Sequence, residues 1–359
     1  MSSTKHARAG NKRSRLTRRG KIIAGAGGLA VGIVALSSIL ALAGKDVQML
    51  NKVPHFGNGA PPPPPTCPLT GGDVKEVPAR PALGIKVENI PEARPQAGLN
   101  KADIVYEEPV EGGITRFIVI YQCQDSDRVG PVRSARLTDA NVLSQYGHPV
   151  FGYAGGVPSV EHAVDAAGVK DENYDIAVSA YTRDENRSEP HNLYTTTEAL
   201  WKAARLFKAP DPVFEYGDLP EHVKKAGFAH IDFSGVSDVY WRWDVDSQTW
   251  LRYHGTDAHL LEGDVQVSAK NVVVQIVKTQ LTGTVDAAGN PSPEAITVGG
   301  GKAYVFRGGK VIIGTWVRQS PENVTEFRTK SGDVIPLAPG RTWVELYPED
   351  RPPVEIGKK

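Results

Sequence analysis

RPQAGLNKADIVYEEPVEGGITRFIVIYQCQDSDRVGPVRSAR, residues 94–136, is the stretch on which the reading of the fold turns. Ile104–Tyr106 and Ile114–Tyr121 are apolar runs of strand length. Ile118, Val119 and Ile120 are consecutive, which predicts a strand covered on both faces. Between the runs, Glu107-Glu108-Pro109-Val110-Glu111-Gly112-Gly113 reads as an acidic turn ending in glycine. After them, Gly130-Pro131-Val132-Arg133-Ser134-Ala135-Arg136 reads as a basic turn leading into a helix. Carboxylates and guanidiniums thus gather at the ends of core strands, where loops on rigid elements bind and react.

Upstream, Leu83 to Asn89 largely alternates apolar and polar residues and predicts a strand. Downstream, Leu137 to Tyr146 has helical spacing and stops before Gly147. Val150 to Ala154 predicts a strand, Ser159 to Ala167 a helix and Asp175 to Ala180 a strand. Glu189 to Tyr194 reads as a loop, and Thr195-Thr196-Thr197-Glu198 as a capping box for a helix from Glu198 to Phe207. From about residue 228 the pattern turns to strands. Asp238–Trp243 with Thr249–Tyr253, and Tyr304–Phe306 with Val311–Ile313 around Gly308-Gly309, predict hairpins. Val272–Val277 and Thr342–Tyr347 add further strands, and Ser331-Gly332-Asp333 a turn. The expected organisation is an α/β (α+β) part over 81–217 and a β-rich part over 228–350.

The chain has 359 residues, enough for two domains and extensions, and a formal net charge of zero. Residues 1–45 carry nine Lys and Arg and no acid, which leaves 32 basic against 41 acidic residues elsewhere, a net of −9. An acidic body argues against nucleic-acid binding. The tail, 1–21, precedes an uncharged apolar run, 22–43, of membrane-spanning length. Positive charge before it predicts a single-pass anchor with a cytoplasmic N-terminus and an extracytoplasmic body. Ala41-Leu42-Ala43 leaves an alternative, cleavage near Ala43 and secretion. Residues 44–80 read as a spacer stiffened by Pro61–Pro65. Cys67 and Cys123 form one disulfide in an oxidising compartment or stay as two thiols. Neither cysteine lies in a CxxC and no histidines have ligand spacing, so no metal and no other cofactor is expected.

Several segments together carry a resemblance: KVEN at 86–89, ARPQAGLNKADIVYE at 93–107, VEGGITRF at 110–117, VGPVRSAR at 129–136, HNLY at 191–194, NVVVQ at 271–275 and GTW at 314–316. The chain resembles the YerB-type lipoprotein family of bacteria, a domain of unknown function with N- and C-terminal parts. The resemblance implies a three-layer β-β-α sandwich at the cell envelope and no established catalytic residues. The family's type member is lipid-anchored, whereas here the apolar run 22–43 takes that place.

Arg116, Arg133 and Arg136 are the first candidate constellation, because planar guanidinium forks suit phosphates and carboxylates. Arg133 and Arg136 flank a helix start, whose free N–H groups would add anion affinity. The alternative is that they pair with Glu107, Glu108, Glu111 or Asp139 and brace the turns. Glu107, Glu108 and Glu111 are a second candidate, since two carboxylates can serve as acid and base, and a wall hydrolase would use Glu108 or Glu111 with His191; salt bridging is the alternative. Ser134 with His191 is a weaker nucleophile–base pair, lacking a GxSxG elbow. Gly155 and Gly156 would allow close backbone approach, and Asn192 follows His191 in the same loop. Gly299-Gly300-Gly301 lacks a P-loop lysine. Tyr240, Trp241, Trp243, Trp250 and Tyr253 would stack on sugar rings or pack in a core. The expected partners are the membrane, through residues 22–43, and an anionic ligand, a cell-wall polymer or an envelope protein. Three functions stay open: anion binding, wall hydrolysis, and a non-catalytic scaffold for envelope enzymes.

Overall fold

The computed structural model describes residues 63–220, 223–286 and 288–358. The basic tail, the apolar run 22–43 and the first two residues of the proline tract lie outside the described residues. Among the described residues no helix is long and apolar enough to cross a membrane.

The quoted stretch forms the centre of the fold. Strands β1 (Leu83–Glu88), β2 (Ile104–Pro109) and β3 (Thr115–Tyr121) lie side by side, with β3 antiparallel to both neighbours. β3 is buried at every position. Its odd-numbered side chains Phe117, Val119 and Tyr121 enter one core cluster, and Ile118 and Ile120 the other. An uninterrupted apolar run suits a strand buried on two faces. The acidic turn is shorter than its residues suggest. β2 continues through Glu107 and Glu108 to Pro109, and the reversal falls on Glu111–Gly113, with Gly112 and Gly113 at positive φ.

The chain continues through α1 (Leu137–Leu143), β4 (Val150–Gly152), α2 (Pro158–Ala166) and α3 (Thr197–Ala204). The Thr196 hydroxyl caps α3 by accepting the Ala199 N–H at 3.0 Å. Asp175–Ala180 is not a strand. The Asn173 side-chain oxygen takes the N–H groups of Asp175 and Ile176, folding the segment into a turn, and Val178–Ala180 forms a single 3-10 turn.

The second half gives β5 (Phe228–Ser234), β6 (Ser237–Asp244), β7 (Thr249–His254), β8 (Asn271–Val285), β9 (Pro291–Ile296), β10 (Gly299–Arg307), β11 (Lys310–Arg318) and β12 (Thr342–Pro348). The result is a mixed α+β fold with large sheets and few helices. A twelve-stranded sheet runs in the order Glu326–Arg328, β11, β10, β8, β12, β2, β3, β1, β4, Lys170–Asp171. β12 joins the two halves: Val344 lies opposite both Val273 and Tyr106, parallel to each neighbour. The far end of β8 leaves this path and pairs with β9 as a two-stranded ribbon.

One face of the large sheet packs on a six-stranded sheet built around β5–β7, and α1 and α2 cover the other face. Trp241 and Trp250 are fully buried between the sheets, edge-on to Trp343 and Phe306 at 5.2 and 5.4 Å. Burying a large apolar side chain contributes about 1.5–3 kcal/mol. Tyr240 and Tyr253, on alternate positions, instead lie beneath the Arg242 guanidinium on the outer face.

The packed chain also begins earlier than Pro81. Cys67 and Leu69 are buried, and Tyr216 donates its hydroxyl to the Leu69 carbonyl at 2.6 Å. Gly71 has φ +63°, and a Cβ there would lie 2.2 Å from the Tyr216 ring, so only glycine fits. Cys67 is bonded to Cys123, with the two Cα atoms 6.1 Å apart. The bond ties the end of the spacer to the chain just after β3.

Candidate arginine cleft

Strand periodicity decides which charges meet. On β1 and β2, Lys86, Glu88 and Glu108 face the helices, while Glu107 faces the second sheet. Register then sets Arg116 of β3 directly between Glu88 of β1 and Glu108 of β2. The turn 133–136 and α1 lay Arg133, Arg136 and Asp139 over this row.

The lower part is sealed. Lys86 is fully buried and its Nζ donates to Glu108 and, at 2.7 Å, to Asp139. Burial, and then the Asp139 charge, push the Glu108 carboxyl up to about 7, against the pull of Lys86. Glu107, on the opposite face, accepts from Arg252 Nη2 and Thr115, each at 2.6 Å, inside the sheet–sheet core.

The upper part opens. Arg136 Nε and Nη2 fork onto the Glu111 carboxylate, both at 2.6 Å, and Ser292 donates to the same group at 2.5 Å. Burial works to raise the Glu111 carboxyl, but these bonds and the Arg136 charge hold it below its ordinary value. Arg133 Nε donates to Glu88 at 2.8 Å, and the other Glu88 oxygen meets His191 Nδ1 at 2.7 Å. Arg116 differs. It is 6% exposed, and its Nη1 donates to the Ser134 carbonyl at 3.0 Å. Among the described residues Nε has no partner and the guanidinium makes no ion pair. Burial, then the charges of Arg136 and Arg133, bring its pKa down to about 10, so it stays protonated.

The three arginines line one cleft of about 480 Å³, together with Glu88, Glu111, Ser134 and Gly156. Ile90, Ile114, Leu137 and Val157 form aliphatic walls, and the β8–β9 ribbon closes one side with Thr282, Thr284 and Val285.

Other candidates fall outside the cleft. Glu108 lies sealed below it. His191 lines a separate depression with Arg94 and Arg187 and reaches the cleft only through Glu88. Asn192 is buried and accepts from Arg183 at 2.8 Å. Gly155, at φ +81°, packs on Ser134, where an added Cβ would meet Oγ at 3.2 Å. Glu108, Glu111 and His191 therefore engage Lys86, Arg136 and Glu88 in turn and do not face a common point. Ser134 and His191 make no hydrogen bond to each other, since His191 Nδ1 is taken by Glu88. At the α1 N-terminus Asp139 accepts the Arg136 N–H at 2.6 Å, which satisfies one of the free N–H groups there. Gly299 and Gly301 serve in β10, where a Cβ on Gly301 would meet the Ile276 carbonyl at 2.6 Å.

Sequence reasoning missed Lys86, Glu88 and the ribbon. The first two carry a local signal, two charged residues at alternate positions of a strand otherwise made of core residues. The ribbon carries none, because it reaches the cleft from more than 140 positions away in sequence.

Comparison with known proteins agrees with this architecture. Residues 69–209 match the family model described as "Protein of unknown function (DUF3048) N-terminal domain", and residues 229–344 match the model of its C-terminal domain. The chain is 29% identical over 293 residues to "Putative lipoprotein YerB" of Bacillus subtilis (strain 168), covering 79% of this chain and 86% of that protein. The crystal structure of YerB protein from Bacillus subtilis superposes with a TM-score of 0.70 at 27% identity, covering 82% of this chain and 100% of that one. Both halves of the family are present in order across a shared sheet, and the chain belongs to the DUF3048 family, of which YerB is a relative.

Proposed function

We propose that this protein is held at the extracytoplasmic face of a membrane and binds an anionic ligand in the arginine cleft. The observation that carries the ligand reading is Arg116, a buried guanidinium on the cleft surface with no carboxylate bound to it among the described residues. A buried guanidinium with no carboxylate hydrogen-bonded to it is costly even with Glu88 and Glu111 nearby, and an arriving anion supplies that bond. Arg133 and Arg136 are held in place by Glu88 and Glu111, so the recognition surface is set before the ligand arrives. The location rests on the apolar run 22–43 behind its basic tail, on the disulfide and on a relative named as a putative lipoprotein. In this reading 22–43 is a single-pass anchor with the N-terminus inside, and the ligand is an acidic group of a wall polymer or of an envelope protein.

Full-length protein and its Arg116→Met variant, bound to purified cell-wall fragments, test the reading. Loss of one charge-assisted hydrogen bond costs about 1.5–3 kcal/mol, which is about a 10- to 100-fold weaker binding. A variant that melts like the wild type and binds fragments equally well would refute it.

A further inference from the structure

The kind of anion follows from the charge and the walls of the same cleft, and this inference rests on the reading above. We infer that the cleft takes a carboxylate carried on an aliphatic end, whether the C-terminal residue of a peptide or a short-chain acid.

Charge favours a ligand with a single negative unit. The cleft is lined by three guanidiniums and by the carboxylates of Glu88, Glu111 and Asp286. Arg136 spends Nε and Nη2 on Glu111 and Nη1 on the Ala135 carbonyl. Arg133 spends Nε on Glu88. Asp286 is occupied by its own turn, accepting from Ala288 N, Asn290 N and Asn290 Nδ2 at 2.8–3.0 Å. Arg116 is the guanidinium left without a bound counter-charge. The lining already holds three charges of each sign, so a monoanion is the smallest excess of negative charge that can meet Arg116. A phosphate dianion would bring a second negative charge against three resident carboxylates.

The walls limit what carries the charge. Ile90, Ile114, Leu137 and Val157 are only half-buried, and Val285 is 57% exposed, although all five line the cleft around a charged floor. Such aliphatic surface is covered by an aliphatic group, while a polyol or phosphate chain would set hydroxyls and charge against it. A carboxylate oxygen suits the remaining Nη2 edge of Arg116, since Nε is buried and Nη1 already donates to the Ser134 carbonyl. The volume, about 480 Å³, is that of a small-molecule site, and it suits a chain end better than a run of polymer. Thr282 spends its hydroxyl on the Ser292 carbonyl, and the neighbouring Thr284 hydroxyl, 2.8 Å away on the ribbon wall, offers an acceptor to an amide N–H next to the terminal carboxylate.

The test is calorimetric titration of the full-length protein in nanodiscs with four probes: N-acetyl-Leu-Ala, its carboxamide, hexanoate and dimethyl phosphate. The expected result is that the free acid binds at least about tenfold tighter than the amide and that Arg116→Met removes the difference. Hexanoate binding beside the peptide assigns recognition to the acid and its aliphatic neighbour, and peptide binding alone assigns the source to a polypeptide C-terminus. Val285→Glu, at an exposed position that leaves the core untouched, is expected to weaken the acid by a similar factor and guards against a misfolded Arg116 variant. Tighter binding of dimethyl phosphate that still depends on Arg116 overturns the carboxylate assignment and leaves anion binding standing, whereas equal binding of acid and amide overturns both. Anion binding that ignores Arg116, or none at all, overturns both.

Discussion

Glu108→Gln is expected to flatten the dependence of stability on pH between about 5 and 8. Glu108 is fully buried, and its carboxyl is raised from 4.5 to about 7, chiefly by burial and then by Asp139. A carboxyl whose folded value lies above its unfolded one holds its proton more tightly in the fold. The folded state therefore binds more protons across that window, and stability falls as pH rises through it. With one unit worth about 1.4 kcal/mol, the loss is about 1 kcal/mol at pH 5 and about 3 kcal/mol at pH 8. Glutamine keeps an oxygen for Lys86 and does not titrate, and Lys86 keeps Asp139 at 2.7 Å, so no lysine charge is left alone. The stability difference between variant and wild type should therefore shift in favour of the variant by about 2–3 kcal/mol from pH 5 to pH 8. Urea unfolding at the two pH values, with equal slopes, measures it. Other raised groups, such as Asp103 at about 6, contribute to both proteins and cancel in the difference. Parallel pH profiles for the two proteins would refute the placement of Glu108 as a buried, proton-holding carboxyl beside Lys86.

Two further outcomes follow from the same geometry. Glu111→Gln breaks the fork to Arg136 and should cost about 1.5–3 kcal/mol at neutral pH; because the Glu111 carboxyl is held below its ordinary value, its contribution is present at neutral pH and disappears as pH falls through the folded value, so the gap between variant and wild type should close in acid. Replacing both Cys67 and Cys123 with Ala opens a loop with a sequence separation of 56, worth about 4 kcal/mol in the chain-entropy model, and an unchanged urea midpoint would show that the bond holds nothing.

The strands and helices around residues 94–136 were legible because their signals are local. Ile118-Val119-Ile120 announces a two-sided strand by composition, and Thr196 stands where a helix needs an oxygen for its first N–H groups. Asp175–Ala180 misleads for an equally physical reason: one side chain, Asn173, supplies the acceptor that diverts the backbone into a turn, and apolar periodicity does not register it. The acidic run 107–113 misleads because strand and turn are told apart there by what waits across the sheet. Lys86 bonds Glu108, and Arg252 and Thr115 bond Glu107, inside the core, which allows β2 to continue.

The sequence by itself determined the α+β character, the membership of the family and the three arginines, because composition, periodicity and motif spacing are properties of neighbouring residues. Only the tertiary structure decided what those arginines are. Strand register set Arg116 between two glutamates without bonding it to either, while the turn after β2 gave Arg136 its carboxylate, Glu111, and β1 gave Arg133 its own, Glu88. The difference between a paired and an unpaired buried charge depends on distances of a few ångströms between segments far apart in the chain. The cleft's ligand-binding character, as proposed, comes from that difference, since an unpaired buried cation is costly and an anion relieves the cost.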